Sequence, residues 1–156
     1  MVYGAINEKG EQWYTQMGRV FEAIKQKQND YNWLITDIDC VPQKIEECCI
    51  GDYYWLTGKE LSRIVNADDG QWVWGVLSGF DKNIDLSEIL QYAKPYANGY
   101  EGFWINPVSI QHPLATIEIV AWDSTSTLLF SRQEDMVKDF LSFFPFGEDL
   151  SKYNAK

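Results

Sequence analysis

His112 is the only imidazole in the chain, and Cys40, Cys48 and Cys49 are its only thiols. Nucleophilic catalysis needs a hydroxyl or thiol held against a base. No Ser or Cys stands in an activating motif near His112, which precedes Pro113 in a loop-like stretch. A Gly-x-Ser-x-Gly elbow, a phosphate-cradling glycine loop and a dinucleotide fingerprint are all missing from the sequence. Zinc asks for four ligands at characteristic spacing, and three cysteines, two of them adjacent, with one remote histidine do not supply it. The odd count points instead to reduced thiols in a cytoplasmic protein, packed as small apolar residues. No metal and no cofactor is therefore expected.

Carboxylates are what remains. Twenty-three acidic residues face thirteen basic ones, for a formal net charge of −10. The excess is uneven: residues 30–101 hold thirteen acids and five bases, a net of −8, whereas residues 1–29 hold three acids and four bases. Such a field repels nucleic-acid phosphates and anionic lipid, so neither nucleic acid nor membrane is an expected partner. It attracts a basic partner and speeds encounter by roughly 10–10³-fold. Asp37 and Asp39 stand two apart at the end of a predicted strand, Asp52 opens another, and Asp68 and Asp69 sit in a turn before a third. These five are the candidate partner-binding residues. Asp37-Ile38-Asp39 matches a sugar-nucleotide metal motif only in its three letters, and Asp68-Asp69-Gly70 also reads as plain turn chemistry. Acidity by itself also serves solubility.

A carboxylate-only hydrolase is the competing chemistry, with two acids ~5–10 Å apart in a cleft. Glu101, Glu118 and Asp123 lie on or beside predicted strands and are the residues for that reading, against their being ordinary cross-strand or surface acids.

The elements that must hold these residues follow from periodicity. Trp13, Met17, Val20, Phe21 and Ile24 make one helical stripe, and Gln28-Asn29-Asp30 ends it. Tyr31 to Ile38 and Asp52 to Leu56 read as strands, with Val41 to Cys48 ambiguous because Pro42 breaks a ladder. Thr57-Gly58-Lys59-Glu60 has the form of a capping box, followed by a helix burying Leu61, Ile64 and Val65. Gln71 to Phe80 reads as the central strand, with Trp72, Trp74 and Val76 on one side and Gly75 leaving room for a ring or helix on the other. Asp85 to Glu88 and Ser131 to Glu134 repeat the box before further helices, the last carrying Met136, Val137, Phe140, Leu141 and Phe144 and closing at Pro145. Tyr100 to Ile105 reads as a strand, and Ala115 to Trp122 with Thr127 to Phe130 as a hairpin around a polar turn. The tail from Phe146 to Lys156 reads as extended or frayed.

Seven Trp, nine Tyr and eight Phe in 156 residues supply a strongly aromatic core for one domain, residues 1–156. The order of elements predicts an α+β fold: a mainly antiparallel sheet of five to six strands, with an N-terminal and a C-terminal helix and short connecting helices. No apolar run reaches the ~20 residues that span a bilayer, and Met1 to Gly10 lacks the apolar stretch of a signal peptide.

Three passages, Tyr31-Asn32-Trp33-Leu34-Ile35-Thr36-Asp37, Gln71-Trp72-Val73-Trp74-Gly75-Val76-Leu77-Ser78-Gly79-Phe80 and Glu118-Ile119-Val120-Ala121-Trp122-Asp123-Ser124, carry a resemblance. In size and style the chain resembles the small acidic immunity proteins of bacterial toxin–immunity systems. The resemblance implies a non-enzymatic cytoplasmic protein that binds and blocks a cognate toxin with a basic surface, such as a nuclease. Immunity families have unrelated folds, so it transfers no residue roles.

Overall fold

The computed structural model describes residues 1–39, 49–50 and 52–156. The ambiguous stretch Val41 to Cys48, together with Cys40, lies outside them. Among the described residues, eight antiparallel-paired strands form one sheet in the order β3-β4-β2-β5-β6-β7-β1-β8. They are β1 (Tyr3–Asn7), β2 (Asn32–Asp39), β3 (Cys49–Ile50), β4 (Tyr53–Thr57), β5 (Trp74–Phe80), β6 (Ile117–Trp122), β7 (Ser126–Ser131) and β8 (Glu148–Asp149). The helices are α1 (Met17–Ala23), α2 (Gly58–Ala67), α3 (Leu86–Ile89), α4 (Glu134–Phe143) and α5 (Leu150–Asn154). Among the described residues there are also two 3₁₀ turns, Lys27–Asp30 and Glu101–Trp104.

Strand pleating sorts the apolar residues into two cores. Trp33 and Ile35 of β2, Leu77 of β5, Ile117, Ile119 and Ala121 of β6 and Leu129 of β7 pack with Val20 and Phe21 of α1, Leu61 and Val65 of α2, and Met136 and Phe140 of α4. Leu34, Val76, Phe80, Val120, Leu128 and Phe130 point the other way. That second face is covered by residues 81–116, which contribute Ile89, Ala97, Phe103, Val108 and Ile110, and by Leu150 of α5. Both faces are thus buried, which is why β5, β6 and β7 are nearly continuous apolar runs.

The α+β class, the mainly antiparallel sheet and the terminal helices agree with the sequence reading; the strand count is higher. The added strands are β1, inserted between β7 and β8, and the two-residue β3 and β8. Thr57 closes the predicted capping box: its Oγ1 accepts from the Glu60 amide at 3.1 Å, and the Glu60 side chain accepts from the Thr57 amide at 3.4 Å. Asp85 caps α3 without a side-chain bond, and Gln133 rather than Ser131 caps α4.

Four local expectations change. Trp13 is 51% exposed, because α1 begins only at Met17. Trp72 and Trp74 sit in opposite cores rather than on one side, since the ladder starts at Trp74 and the Trp72 amide bonds to Thr15 instead. The room left by Gly75 is indeed filled by a ring: a Cβ there would lie 3.0 Å from the Trp72 indole. Tyr100 to Ile105 is a 3₁₀ turn packed on the second face, not a strand. The C-terminal tail is ordered, with Leu150 fully buried and Asp149 accepting from the Lys152 amide to cap α5.

Candidate functional site

At one end of the sheet β2, β6 and β1 finish while β4, β5, β7 and β8 begin. The register therefore lines up the flanking residues of seven strands along one rim. Among the described residues, Asp37, Asp39, Asp52, Asp123, Glu8 and Glu148 stand on it beside Lys9, Lys94 and Lys156. Asp68 and Asp69 lie in the connection leading into β5. The opposite end carries acids as well: Asp30, Glu60, Asp81, Asp85, Glu134 and Asp135 stand there with Lys27, Lys59, Lys82 and Arg132.

The five acids named from sequence have different jobs there. Asp37 occupies a left-handed position (φ 52°) where the β2–β5 register shifts. Its carboxylate accepts from the amides of Ala97 and Asn98 at 2.7 and 3.0 Å, so it fastens the 81–116 segment to the sheet. Asp69 accepts from the Gly18 amide at 3.0 Å, satisfying a donor at the start of α1. Burial pushes its carboxyl above the usual range, partly offset by that bond. Asp52 meets Lys94 at 3.6 Å, and both are solvent-exposed. Asp39 is exposed and makes no ion pair among the described residues; the same holds for Asp123 in the β6–β7 turn. Asp68 is half-buried.

Beside these acids the rim carries a tryptophan cluster that sequence placed on strands without locating its exposure. Trp74 and Trp122 meet edge-to-face at 4.9 Å, and Trp104 meets Trp122 at 5.0 Å with planes 90° apart. Trp104 arrives on the second 3₁₀ turn and Tyr153 on α5, 6.1 Å from it. Trp104, Trp122 and Tyr153, with Glu8, Ser126, Asn154 and Lys156, line an open groove of about 680 Å³. Tyr153 donates to Glu8 at 3.2 Å, and burial followed by the Glu8 charge raises its phenol above the ordinary value. Asn154 donates to the Phe103 carbonyl at 3.1 Å, while its buried Oδ1 has no partner. A weak amphipathic signal did exist in the tail: Asp149 three residues before Lys152, with Leu150 and Tyr153 on one side.

Of the acids of the hydrolase reading, Glu101 is exposed at the start of the second 3₁₀ turn, and Glu118 and Asp123 do not converge. Glu118 is fully buried midway along β6, and Asp123 lies five residues on in an exposed turn, about 16 Å away at strand rise. Glu118 Oε2 accepts from the Gln111 amide at 3.1 Å and Oε1 has no partner; Ser78, its cross-strand neighbour, also has an unpartnered buried hydroxyl. Burial raises the Glu118 carboxyl to about 8. His112 is fully buried, its Nε2 bonded to the Ile89 carbonyl at 2.9 Å and its Nδ1 accepting from the Leu114 amide. Both ring nitrogens are engaged by backbone, and burial lowers its pKa, so the single histidine is a neutral packing element. Among the described residues no group of three His, Cys, Asp or Glu side chains is placed to hold a metal ion. No helix among them is long and apolar enough to cross a membrane.

Comparison with protein-family models, curated proteins and solved structures yields no match for this chain.

Proposed function

We propose that this chain is a non-enzymatic, cytoplasmic binding protein that neutralises a cognate bacterial toxin with a basic surface, such as a nuclease. The observation carrying this reading is that the exposed carboxylates Asp39, Asp52 and Asp123 stand at the same sheet end as the tryptophan-lined groove. Interfaces gain their energy from a few desolvated aromatic and arginine anchors within a polar rim. Charge of one sign around such a centre speeds encounter and selects the partner. Asp39, Asp52 and Asp123 supply the exposed charge, while Trp104, Trp122 and Tyr153 supply the apolar centre. Asp37 and Asp69 contribute negative potential, but their oxygens are engaged inside the fold.

The polar groups buried in the sheet do not favour an enzyme. The one histidine is bonded on both ring nitrogens, and Glu118 is sealed from solvent. The test is a rescue experiment. The C-terminal domain of the protein encoded immediately upstream is expressed in a heterologous host, with and without this chain. Survival only with the chain, and a stoichiometric complex of the two, is the expected result. Loss of viability despite abundant folded chain would overturn the proposal.

A further inference from the structure

We infer that the groove between Trp104, Trp122 and Tyr153 receives an arginine side chain from the basic protein partner, displacing Lys156 from the face of Tyr153. This rests on the proposed function for the identity of the partner, but the groove's chemistry stands on its own geometry. Two indoles set at 90° and 5.0 Å apart form a corner with two π surfaces, and Tyr153 adds a third wall. Rings arranged around a space attract a cation through their negative faces, most of all when it is desolvated.

The groove already holds one. Lys156 Nζ sits 5.3 Å from the centre of the Tyr153 ring, tethered by Glu148 at 2.9 and 3.0 Å. That ammonium occupies the position a partner's cation would take, and its exposed tether is weak enough to exchange.

Acceptors at the groove fit a guanidinium better than an ammonium. The Glu8 carboxylate has lone pairs beyond the one taken by Tyr153. Arginine offers five donors in a planar fork, stacks on aromatic faces and is less strongly hydrated than lysine. A groove of about 680 Å³ exceeds one side chain, so the arginine would come on a short loop whose neighbours also contact the tryptophans. The surrounding carboxylates favour that approach.

The experiment titrates ¹⁵N-labelled protein with a capped Gly-Arg-Gly peptide and follows the indole N–H signals of Trp104 and Trp122. Lysine and citrulline versions of the peptide run in parallel. Saturable indole shifts with arginine are expected, weaker ones with lysine, and none with the neutral citrulline. Lys156→Ala clears the Tyr153 face and tightens arginine binding about two- to fivefold, the strength of one exposed cation–π contact. Glu8→Gln preserves size and weakens binding. Trp104→Ala abolishes it, and because that variant removes a packed ring, Glu8→Gln and Lys156→Ala carry the decision if it unfolds. Equal shifts from the citrulline peptide, or affinity unmoved by both Glu8→Gln and Lys156→Ala, overturn the inference. A chain that rescues cells yet ignores the arginine peptide refutes the groove alone, whereas specific arginine binding without rescue refutes the toxin partner alone.

Discussion

The helix side of the sheet and the side beneath residues 81–116 bury comparable aromatic rings, yet they are attached by different means. On the first, α1, α2 and α4 lay regular apolar stripes onto Trp33, Leu77 and Ile119, and the Thr57 capping box fixes where α2 starts. On the second, a mostly irregular chain is tied down at separate points. Asp37 holds Ala97 and Asn98 and Glu118 holds Gln111, while His112 braces the segment internally against the Ile89 carbonyl. Helices satisfy their own backbone, so their sheet face can be purely apolar. An irregular cover cannot, and the sheet beneath it supplies polar residues to receive its amides. The price is a buried, ionisable glutamate.

Packing is the first place to test that contrast. Phe140 on the helix side and Phe103 on the other are both fully buried, and Phe103 touches Tyr100, Trp122 and Phe130. Truncating either to Ala should cost about 3–5 kcal/mol in urea unfolding. A Phe103→Ala cost below about 1 kcal/mol, beside a full cost at Phe140, would mean that residues 81–116 form a loose flap rather than half of the core.

The buried glutamate gives the next largest effect. Folding holds the Glu118 carboxyl at about 8, against 4.5 for a free side chain. Above pH 4.5 the unfolded chain releases a proton that the folded chain keeps. The stability this group contributes is therefore complete below pH 4.5 and is lost as pH rises to about 8, at roughly 1.4 kcal/mol per unit. Glu118→Gln cannot ionise, so it should match the parent near pH 4.5 and exceed it by about 3 kcal/mol at pH 7. The depressed His112 acts in the opposite sense, costing stability as pH falls below its ordinary 6.5, but it is shared by both proteins and cancels in the difference. Parallel stability–pH curves for the two would show that Glu118 is solvated.

Smaller effects separate the two modes of attachment. Asp37→Ala leaves two amides without their acceptor and puts Ala in a left-handed position, at a cost of about 2 kcal/mol. Hydrogen exchange should accelerate at Ala97 and Asn98 while β6 stays protected. Thr57→Ala should cost about 1 kcal/mol and loosen the first turn of α2 only. Uniform loss of protection in either variant would mean that the two covers unfold as one unit.

The same contrast explains what the sequence disclosed. Helical and alternating periods were readable wherever a regular element laid one stripe on the sheet: Leu61 and Val65, Met136 and Phe140, Ile117 to Ala121. They failed where tertiary contacts replaced periodicity. Trp104 reads as a strand residue because its run is aromatic, but a 3₁₀ turn delivers it to the groove. Tyr3 to Asn7 is five residues with Gly4 in it, and its strand exists because β7 offers an edge. The candidate site was half legible. Charge excess pointed to the carboxylates, yet no pattern tells an acid that holds backbone, such as Asp37, from one that faces water, such as Asp39. The tail that builds the groove carried a single cap and two apolar residues, too short a span for a periodic signal.

The smallest expected effect on stability belongs to the rim itself, and it separates the two ends of the sheet. Asp39 and Asp123 are exposed and form no ion pair among the described residues. Asp39→Lys combined with Asp123→Asn should change unfolding free energy by less than about 0.5 kcal/mol. Asparagine is chosen because position 123 has φ 48°, which asparagine adopts at lower cost than lysine. The matched control at the far end is Asp30→Lys with Asp81→Asn, which shifts net charge by the same +3. If the rim steers a basic partner, only the first pair should slow association and flatten its dependence on ionic strength. Equal slowing by both pairs would assign the attraction to total charge, because at low salt the screening length reaches across a molecule of this size. Repeating the comparison at 0.15 M, where screening shortens to about 8 Å, decides between them: a local rim keeps its effect on the nearby complex, and a diffuse field loses it.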